Sequence, residues 1–213
     1  MMSEPGLRER KKERTRALIA ETAFGLFAER GFDNVTVAEI ARAADVAEKT
    51  VFNYFPTKED LVYGRMESFE DELLHAIRTR APGESVLSAF GRFVLEPRGH
   101  LARERGADDI RAITNVIVGS RDLLTREAEI FERYTETLAA LLAEETSARV
   151  NEAEPWVVAN ALMGVHRALI AFVRRRVLEG AENPTLKREF QSQARRALER
   201  LEHGLGSYGV HES

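Results

Sequence analysis

Between Arg8 and Arg30 the apolar residues return every three or four positions. Ile19, Ala20, Ala23, Phe24 and Phe27 form one stripe, which is the period of an amphipathic helix. Gly31 follows as a stop signal. Thr36 stands three residues before Glu39, the spacing of a capping box. It opens a short helix with Val37, Ile40, Ala41 and Ala44 on one face, and Asp45 ends that helix. A third helix runs to Phe55, where Pro56 halts it, because the residue before a proline is pushed out of the helical region. Thr57 is the N-cap of the next helix, with Glu59 and Asp60 in the first turn facing the positive end of its dipole. Leu61, Val62, Phe69 and Leu73 carry it to Arg80, and Pro82-Gly83 breaks it. Further helices are predicted near 85–96, 107–119, 122–147, 152–179 and 184–204. Asn151 with Pro155, and Asn183 with Pro184, mark two of their starts. No stretch alternates as a strand, so the fold class is all-α.

The stretch "VAEKTVFNYFPTKEDLV", residues 46–62, crowds aromatic and hydrogen-bonding side chains onto two turns of helix. The second and third helices are joined by a tight turn at Asp45-Val46, the helix-turn-helix arrangement whose second helix enters the DNA major groove. Val46, Val51 and Phe55 then face a small core with Phe24, Phe27 and Ile40. Lys49, Thr50, Asn53 and Tyr54 are left on the outer face, where a groove-reading helix needs polar groups.

Residues 15–62 resemble the DNA-binding domain of the TetR family of bacterial transcriptional repressors. The resemblance rests on "FGLFAERGFDNVTVAEIARAADV" followed by "TVFNYFPTKEDLV". It implies an N-terminal three-helix DNA-binding domain, residues 1–56, and a larger helical effector-binding and dimerisation domain, residues 57–213. The helix 57–80 connects the two. Thr36, Thr50, Tyr54 and Lys58 match positions that hold the DNA backbone, and Ala38 sits early enough in its helix to lie against it. Lys49 and Asn53 are the candidate base readers, since Lys donates to guanine O6/N7 and Asn pairs both ways with adenine. Phe52 packs on a thymine methyl or a sugar. Two positions depart from the pattern. Asp45 replaces the usual turn glycine, and Asp tolerates the left-handed conformation. Ala47 stands where a Ser or Thr cap is common, which leaves Asp45 as a second candidate cap.

The helix at 152–179 is apolar over most of its circumference, which implies burial on more than one side. With the helix at 184–204 it makes a candidate four-helix dimer interface, with Leu162, Val165, Leu169, Val173, Phe190, Leu198 and Leu201 as its residues. The resemblance also implies a pocket for a small apolar or amphipathic effector. Its candidate lining is Phe90, Phe93, Ile113, Val116, Ile117, Phe131, Tyr134 and Leu138, with His100, Asn115 and His166 as polar handles. The expected partners are a palindromic DNA operator, an effector and a second copy of the chain.

Charge and composition then narrow the alternatives. The formal net charge is −4, yet residues 1–16 hold Arg8, Arg10, Lys11, Lys12, Arg14 and Arg16 against Glu4, Glu9 and Glu13. Such a basic arm is either a solvated helix start or an element that lies along DNA. There are no cysteines among the 213 residues, which excludes disulfides and thiolate metal sites and suits the cytoplasm. No unbroken apolar run approaches a membrane span. Nucleophile elbows, phosphate loops and zinc-protease motifs are missing, so the chain is expected to be no enzyme and to need no cofactor or metal. Glu72 and His75 form one Glu-x-x-His unit, whereas a carboxylate-bridged metal oxidase of the helical-bundle type needs two. That oxidase, and a helical adaptor without DNA binding, are the competing readings.

Overall fold

The computed structural model describes residues 6–64, 67–96, 106–146 and 152–205. Ten helices follow one another, with no strand among the described residues. They are α1 (Leu7–Arg30), α2 (Val37–Ala43), α3 (Glu48–Tyr54), α4 (Asp60–Tyr63), α5 (Glu67–Arg78), α6 (Val86–Leu95), α7 (Gly106–Val118), α8 (Arg121–Thr146), α9 (Glu154–Leu178) and α10 (Asn183–Leu205). The all-α class stands.

The chain divides into two compact units: residues 1–66 with 115–126, and residues 67–114 with 127–213. The sequence places a boundary after residue 56. The first unit instead runs ten residues further and takes in the α7–α8 turn. The expected helix 57–80 occurs as α4 and α5, with residues 65–66 outside the described residues.

In the first unit, Ile19, Ala23 and Phe27 of α1 are buried against Ile40 and Ala41 of α2 and Val51 of α3. The Phe27 and Phe32 rings meet at a 52° tilt with 4.9 Å between their centroids. Each of the larger buried side chains, Ile19, Phe27, Ile40 and Val51, contributes roughly 1.5–3 kcal/mol through the water it releases. Gly64 ends α4 where there is no room for a side chain. A Cβ there would lie 2.5 Å from the Asp60 carbonyl oxygen and 3.2 Å from the Phe55 ring.

In the second unit, Leu73 and Ile77 of α5, Phe90 and Phe93 of α6, Tyr134, Leu138 and Leu142 of α8, and Leu162 of α9 are all at most 2% exposed. Two ion pairs cross this core. Arg80 donates to Glu145 at 2.6 Å and to the Ile77 carbonyl at 2.7 Å, and Arg174 donates to both oxygens of Glu127. A charge is tolerated in such surroundings only when it is paired in this way.

Helix α9 corrects one expectation: it is long and apolar enough, by length and composition, to cross a membrane. Asn160, His166 and Arg167 interrupt the run, so a search for an unbroken apolar stretch passes over it. Leu162, Met163, Leu169, Val173 and Val177 are buried within the second unit, as expected for the core helix of a bundle. The start at Asn151 lies outside the described residues. Ala153 is the N-cap instead, with no side-chain hydrogen bond, and Pro155 stands in the first turn.

Candidate nucleic-acid interface

The turn between α2 and α3 is built on Asp45, whose φ of 53° makes it the one non-glycine residue with positive φ among those described. The Val46 N–H returns to the Ala41 carbonyl at 2.9 Å, which closes the turn and sets the direction of α3. Val51 and Phe55 are buried, so the rest of α3 faces outward. Glu48, Lys49, Phe52 and Asn53 are exposed, while Thr50 and Tyr54 are half-buried. Phe52 is 47% exposed, a large apolar cost in water unless something covers it. Ala47 caps α3 with no side-chain hydrogen bond, so Asp45 does not supply one either.

The residues expected to hold the DNA backbone are not all available for it. The Thr36 N–H and hydroxyl each donate to Glu39 Oε2 at 2.8 Å, and the hydroxyl accepts from the Glu39 N–H. The capping box is therefore closed, and both Thr36 donors are spent on it. Thr36 is a helix cap here, and a phosphate would have to displace a carboxylate. The Thr36 backbone N–H, then the Arg30 guanidinium, hold the Glu39 carboxyl down to about 2. Ala38 is half-buried in the first turn of α2.

Lys58 departs further from the expectation of a free phosphate contact. Its ammonium donates to the Phe32 carbonyl at 2.7 Å and lies 4.1 Å from the centre of the Phe32 ring. Desolvation lowers its pKa, opposed by Asp33 and Glu59. The side chain thus pins α4 to the α1–α2 turn. A charged hydrogen bond of this kind contributes about 1.5–3 kcal/mol. Lys58→Ala is expected to lower unfolding stability by that order as well as DNA affinity. A denaturant melt identical to wild type would restore Lys58 to a purely surface role.

Nothing in the local pattern of residues 115–126 assigns them to this unit, yet they belong to it. Ser120 Oγ donates to Asp33 at 2.7 Å, the Tyr63 hydroxyl donates to the Leu123 carbonyl at 3.0 Å, and Arg126 pairs with Asp60 at 3.2 Å. Asp60 also accepts the Thr57 N–H, and Thr57 Oγ1 accepts the Asp60 N–H, but α4 starts after Glu59, so Thr57 closes the turn that precedes the helix instead of standing at its N-cap position. These pairings span 60 to 87 residues of chain, a separation at which no local pattern carries information.

The candidate effector residues fall into both units. Asn115, Val116 and Ile117 belong to the first, with Asn115 exposed and the other two buried. Phe90, Phe93, Ile113, Phe131, Tyr134, Leu138 and His166 belong to the second. His100 lies outside the described residues. In the second unit, His166 stacks on Phe69 at 4.3 Å and meets Phe131 edge-on at 5.9 Å. Phe69 also touches Phe93 and Tyr134. Burial among these rings lowers the His166 pKa to about 4, so the imidazole is neutral at physiological pH. A separate open groove of about 550 Å³ is lined by Ala107, Asp108, Arg111, Gly180, Glu182, Asn183 and Pro184, none of them among the expected effector residues.

The expected dimer residues are also redistributed. Leu162, Leu169 and Val173 are buried in the core of their own protomer. They face inward because α9 needs one full face to close the second unit. Val165, Phe190, Leu198 and Leu201 are half-buried, and Leu198 sits over Gly91 of α6, where a Cβ would come within 3.1 Å of it. The exposed residues of α9 are Glu154, Trp156, Val157, Asn160, Gly164, Arg167, Ala168, Ala171, Arg175 and Leu178. Trp156, Val157 and Leu178 are 48%, 59% and 49% exposed.

Among known proteins, residues 19–63 match the family described as bacterial regulatory proteins, tetR family. The chain is 36% identical over 86 residues to the transcriptional regulator TcmR of Streptomyces glaucescens, covering 40% of this chain and 38% of that one. It is 27% identical over 164 residues to the transcriptional regulator MftR of Mycobacterium tuberculosis, covering 73% and 78%. The match to TcmR thus spans less than half of that relative's length. Among solved structures, native NalD, the secondary repressor of the MexAB-OprM multidrug efflux pump in Pseudomonas aeruginosa, is similar over 88% of this chain and 96% of that one. Its TM-score is 0.55 at 20% identity. The fatty acid degradation regulator FadR of Bacillus halodurans has a TM-score of 0.55 at 20% identity, over 85% and 97%. These structural likenesses speak for the fold, and the relatives are regulators rather than enzymes or adaptors. With its capped helix pair, its Asp45 turn and the match over residues 19–63, the chain carries the N-terminal domain described for the bacterial regulatory proteins of the tetR family.

Proposed function

We propose that the chain is a ligand-responsive transcriptional repressor that binds a palindromic operator as a homodimer in the cytoplasm and leaves it when a small molecule binds. The observation that carries this is α3. It is held by Val51 and Phe55 and presents Lys49, Phe52 and Asn53 to the outside, a polar and aromatic face with no role in the fold of the unit. Two such helices about one helical turn of DNA apart read two equivalent half-sites. Selection of bound sequences from random duplexes tests this, and recovery of single asymmetric half-sites would overturn it.

Within that reading, Asn53 is a base reader and Lys49 a second one. Asn53→Ala is expected to cost on the order of 1–3 kcal/mol at its preferred base pair and to flatten discrimination there. Uniform loss of affinity with unchanged preference would make it a backbone contact instead.

The exposed stripe of α9 is the proposed dimer face. Gly164, Ala168 and Ala171 are small enough for two helices to approach closely, Trp156 and Leu178 place apolar area at either end, and Arg167 and Arg175 lie exposed beside them. The effector reading rests on the aromatic cluster of Phe69, Phe93, Phe131, Tyr134 and His166 in the second unit. A neutral imidazole among rings suits an apolar or amphipathic molecule with a hydrogen-bonding group. Such an effector must bind the released form more tightly than the DNA-bound form, by about 1–3 kcal/mol. Saturating operator must then weaken its binding by the same factor.

A further inference from the structure

The reading head is acidic apart from its N-terminal arm. Residues 17–63, which hold the whole helix-turn-helix, carry four basic residues, Arg30, Arg42, Lys49 and Lys58, against eight acidic ones. Two of those four are engaged inside the unit: Arg30 donates to Glu39 and to the Asn34 carbonyl, and Lys58 to the Phe32 carbonyl. Among residues 17–63, Arg42 and Lys49 remain as exposed cations outside these pairings, facing a duplex that carries one negative charge about every 1.7 Å of its axis. A domain so charged repels DNA at long range, and its affinity needs a further positive element.

The structure supplies one. The six basic residues at 8–16 stand against two acidic ones and form the first turns of α1, continuous with the helix that builds the core. Arg8, Arg10, Lys11, Lys12 and Arg14 are exposed. Among the described residues, Arg8, Arg10, Lys11 and Arg14 have no ion-pair partner. Arg16, at the base, is turned inward. It donates to the Gly64 carbonyl at 2.9 Å, and its guanidinium lies 5.3 Å from the centre of the Phe55 ring. Phe55 is the residue that closes α3, so the arm leaves the unit beside the C-terminal end of the reading helix. From Arg16 to Arg8 it reaches about 12 Å at the helical rise.

We propose that this helical extension of α1 is a second DNA-binding element, which lies along the sugar-phosphate backbone beside the groove that α3 enters and supplies most of the sequence-independent affinity. The proposal rests on the DNA-binding reading above. Because phosphates carry no sequence information, the arm sets how tightly and how quickly the protein holds any duplex, and α3 sets which duplex. Its rigidity matters, since the cations are already in place and little entropy is lost when they meet phosphate.

The test is the full-length chain with Arg8→Ala, Arg10→Ala, Lys11→Ala and Arg14→Ala together, titrated with salt against a selected operator and against random-sequence duplex. The slope of log affinity against log salt should become shallower by about 0.9 for each phosphate that is no longer neutralised. Affinity for both duplexes should fall by the same factor, roughly tenfold or more at physiological salt, with the preference for operator unchanged. The denaturant melt should not move, because these side chains touch no core residue. A companion with Arg8→Lys, Arg10→Lys and Arg14→Lys should keep the wild-type slope. An alanine variant with the wild-type slope, or one that loses the operator preference, overturns the proposal while leaving the regulator reading in place. A wild-type chain that binds no duplex overturns both.

Discussion

Leu169→Glu is expected to leave no folded protein, whereas Ala168→Glu, one residue away, is expected to leave a folded protomer that no longer dimerises. The difference is the side of α9 on which each residue lies. Leu169 is 4% exposed within its own protomer. A carboxylate there has no partner, and its burial costs several kcal/mol on top of the forfeited packing. Typical stabilities are about 5–15 kcal/mol, so that one change removes a large share. Ala168 is exposed, between Gly164 and Ala171 on the small-residue stripe. In a two-fold interface each copy meets its own equivalent, so Ala168→Glu brings two carboxylates together where helices approach closely. Circular dichroism should report an unchanged fold, and sedimentation should report a monomer. Operator affinity should fall by about 100-fold or more, since two linked reading heads gain that much from effective concentration. A variant with Ala168→Glu that still sediments as a dimer would place the interface on another surface.

Glu127→Ala is expected to destabilise the second unit by about 3–5 kcal/mol. Glu127 takes two hydrogen bonds from Arg174, and the two side chains are 11% and 19% exposed. Removing the carboxylate leaves a largely buried guanidinium in the bundle with no counter-ion. At this chain length each kcal/mol corresponds to roughly 2–4 °C, so the melting temperature should drop by about 10 °C. Arg174→Ala should cost a similar amount. The double change Glu127→Leu with Arg174→Met should recover part of the loss, because two apolar side chains of similar volume need no pairing. A loss below about 1 kcal/mol for either single change would show that the pair behaves as an exposed one.

The reading head was legible because its signals are local. Thr36 and Glu39 are three residues apart, and so are Thr57 and Asp60. Asp45 lies between two apolar stripes, and Pro56 closes the third helix. Each pattern is set by backbone sterics and capping hydrogen bonds within one or two turns. Of the outward residues of α3, Lys49 and Asn53 followed from the same periodicity, whereas Thr50 and Tyr54 are half-buried and Glu48 and Phe52 are exposed in their place. What each basic residue does was less legible. Lys58 reads as a surface cation in sequence, but its stem reaches back 26 residues to the Phe32 carbonyl. Thr36 reads as a phosphate donor until the Glu39 carboxylate is seen to occupy both of its donors. The face of α9 was misassigned for a related reason. Its apolar residues run nearly all the way round, and periodicity alone does not say which of two apolar faces meets the protomer's own core.

By itself, the sequence determined the all-α class, the positions of the helices to within a few residues, the helix-turn-helix and the segregation of positive charge into residues 8–16. These are consequences of local steric preference, helical period and residue type. Tertiary structure alone decided that residues 115–126 belong with the reading head. It also decided that Lys58 and Arg16 turn inward, and that α9 buries Leu162, Leu169 and Val173 while exposing Trp156, Gly164 and Ala168. Each of these depends on groups dozens of residues apart competing for the same space and the same hydrogen bonds, and that competition is resolved only when the chain is packed.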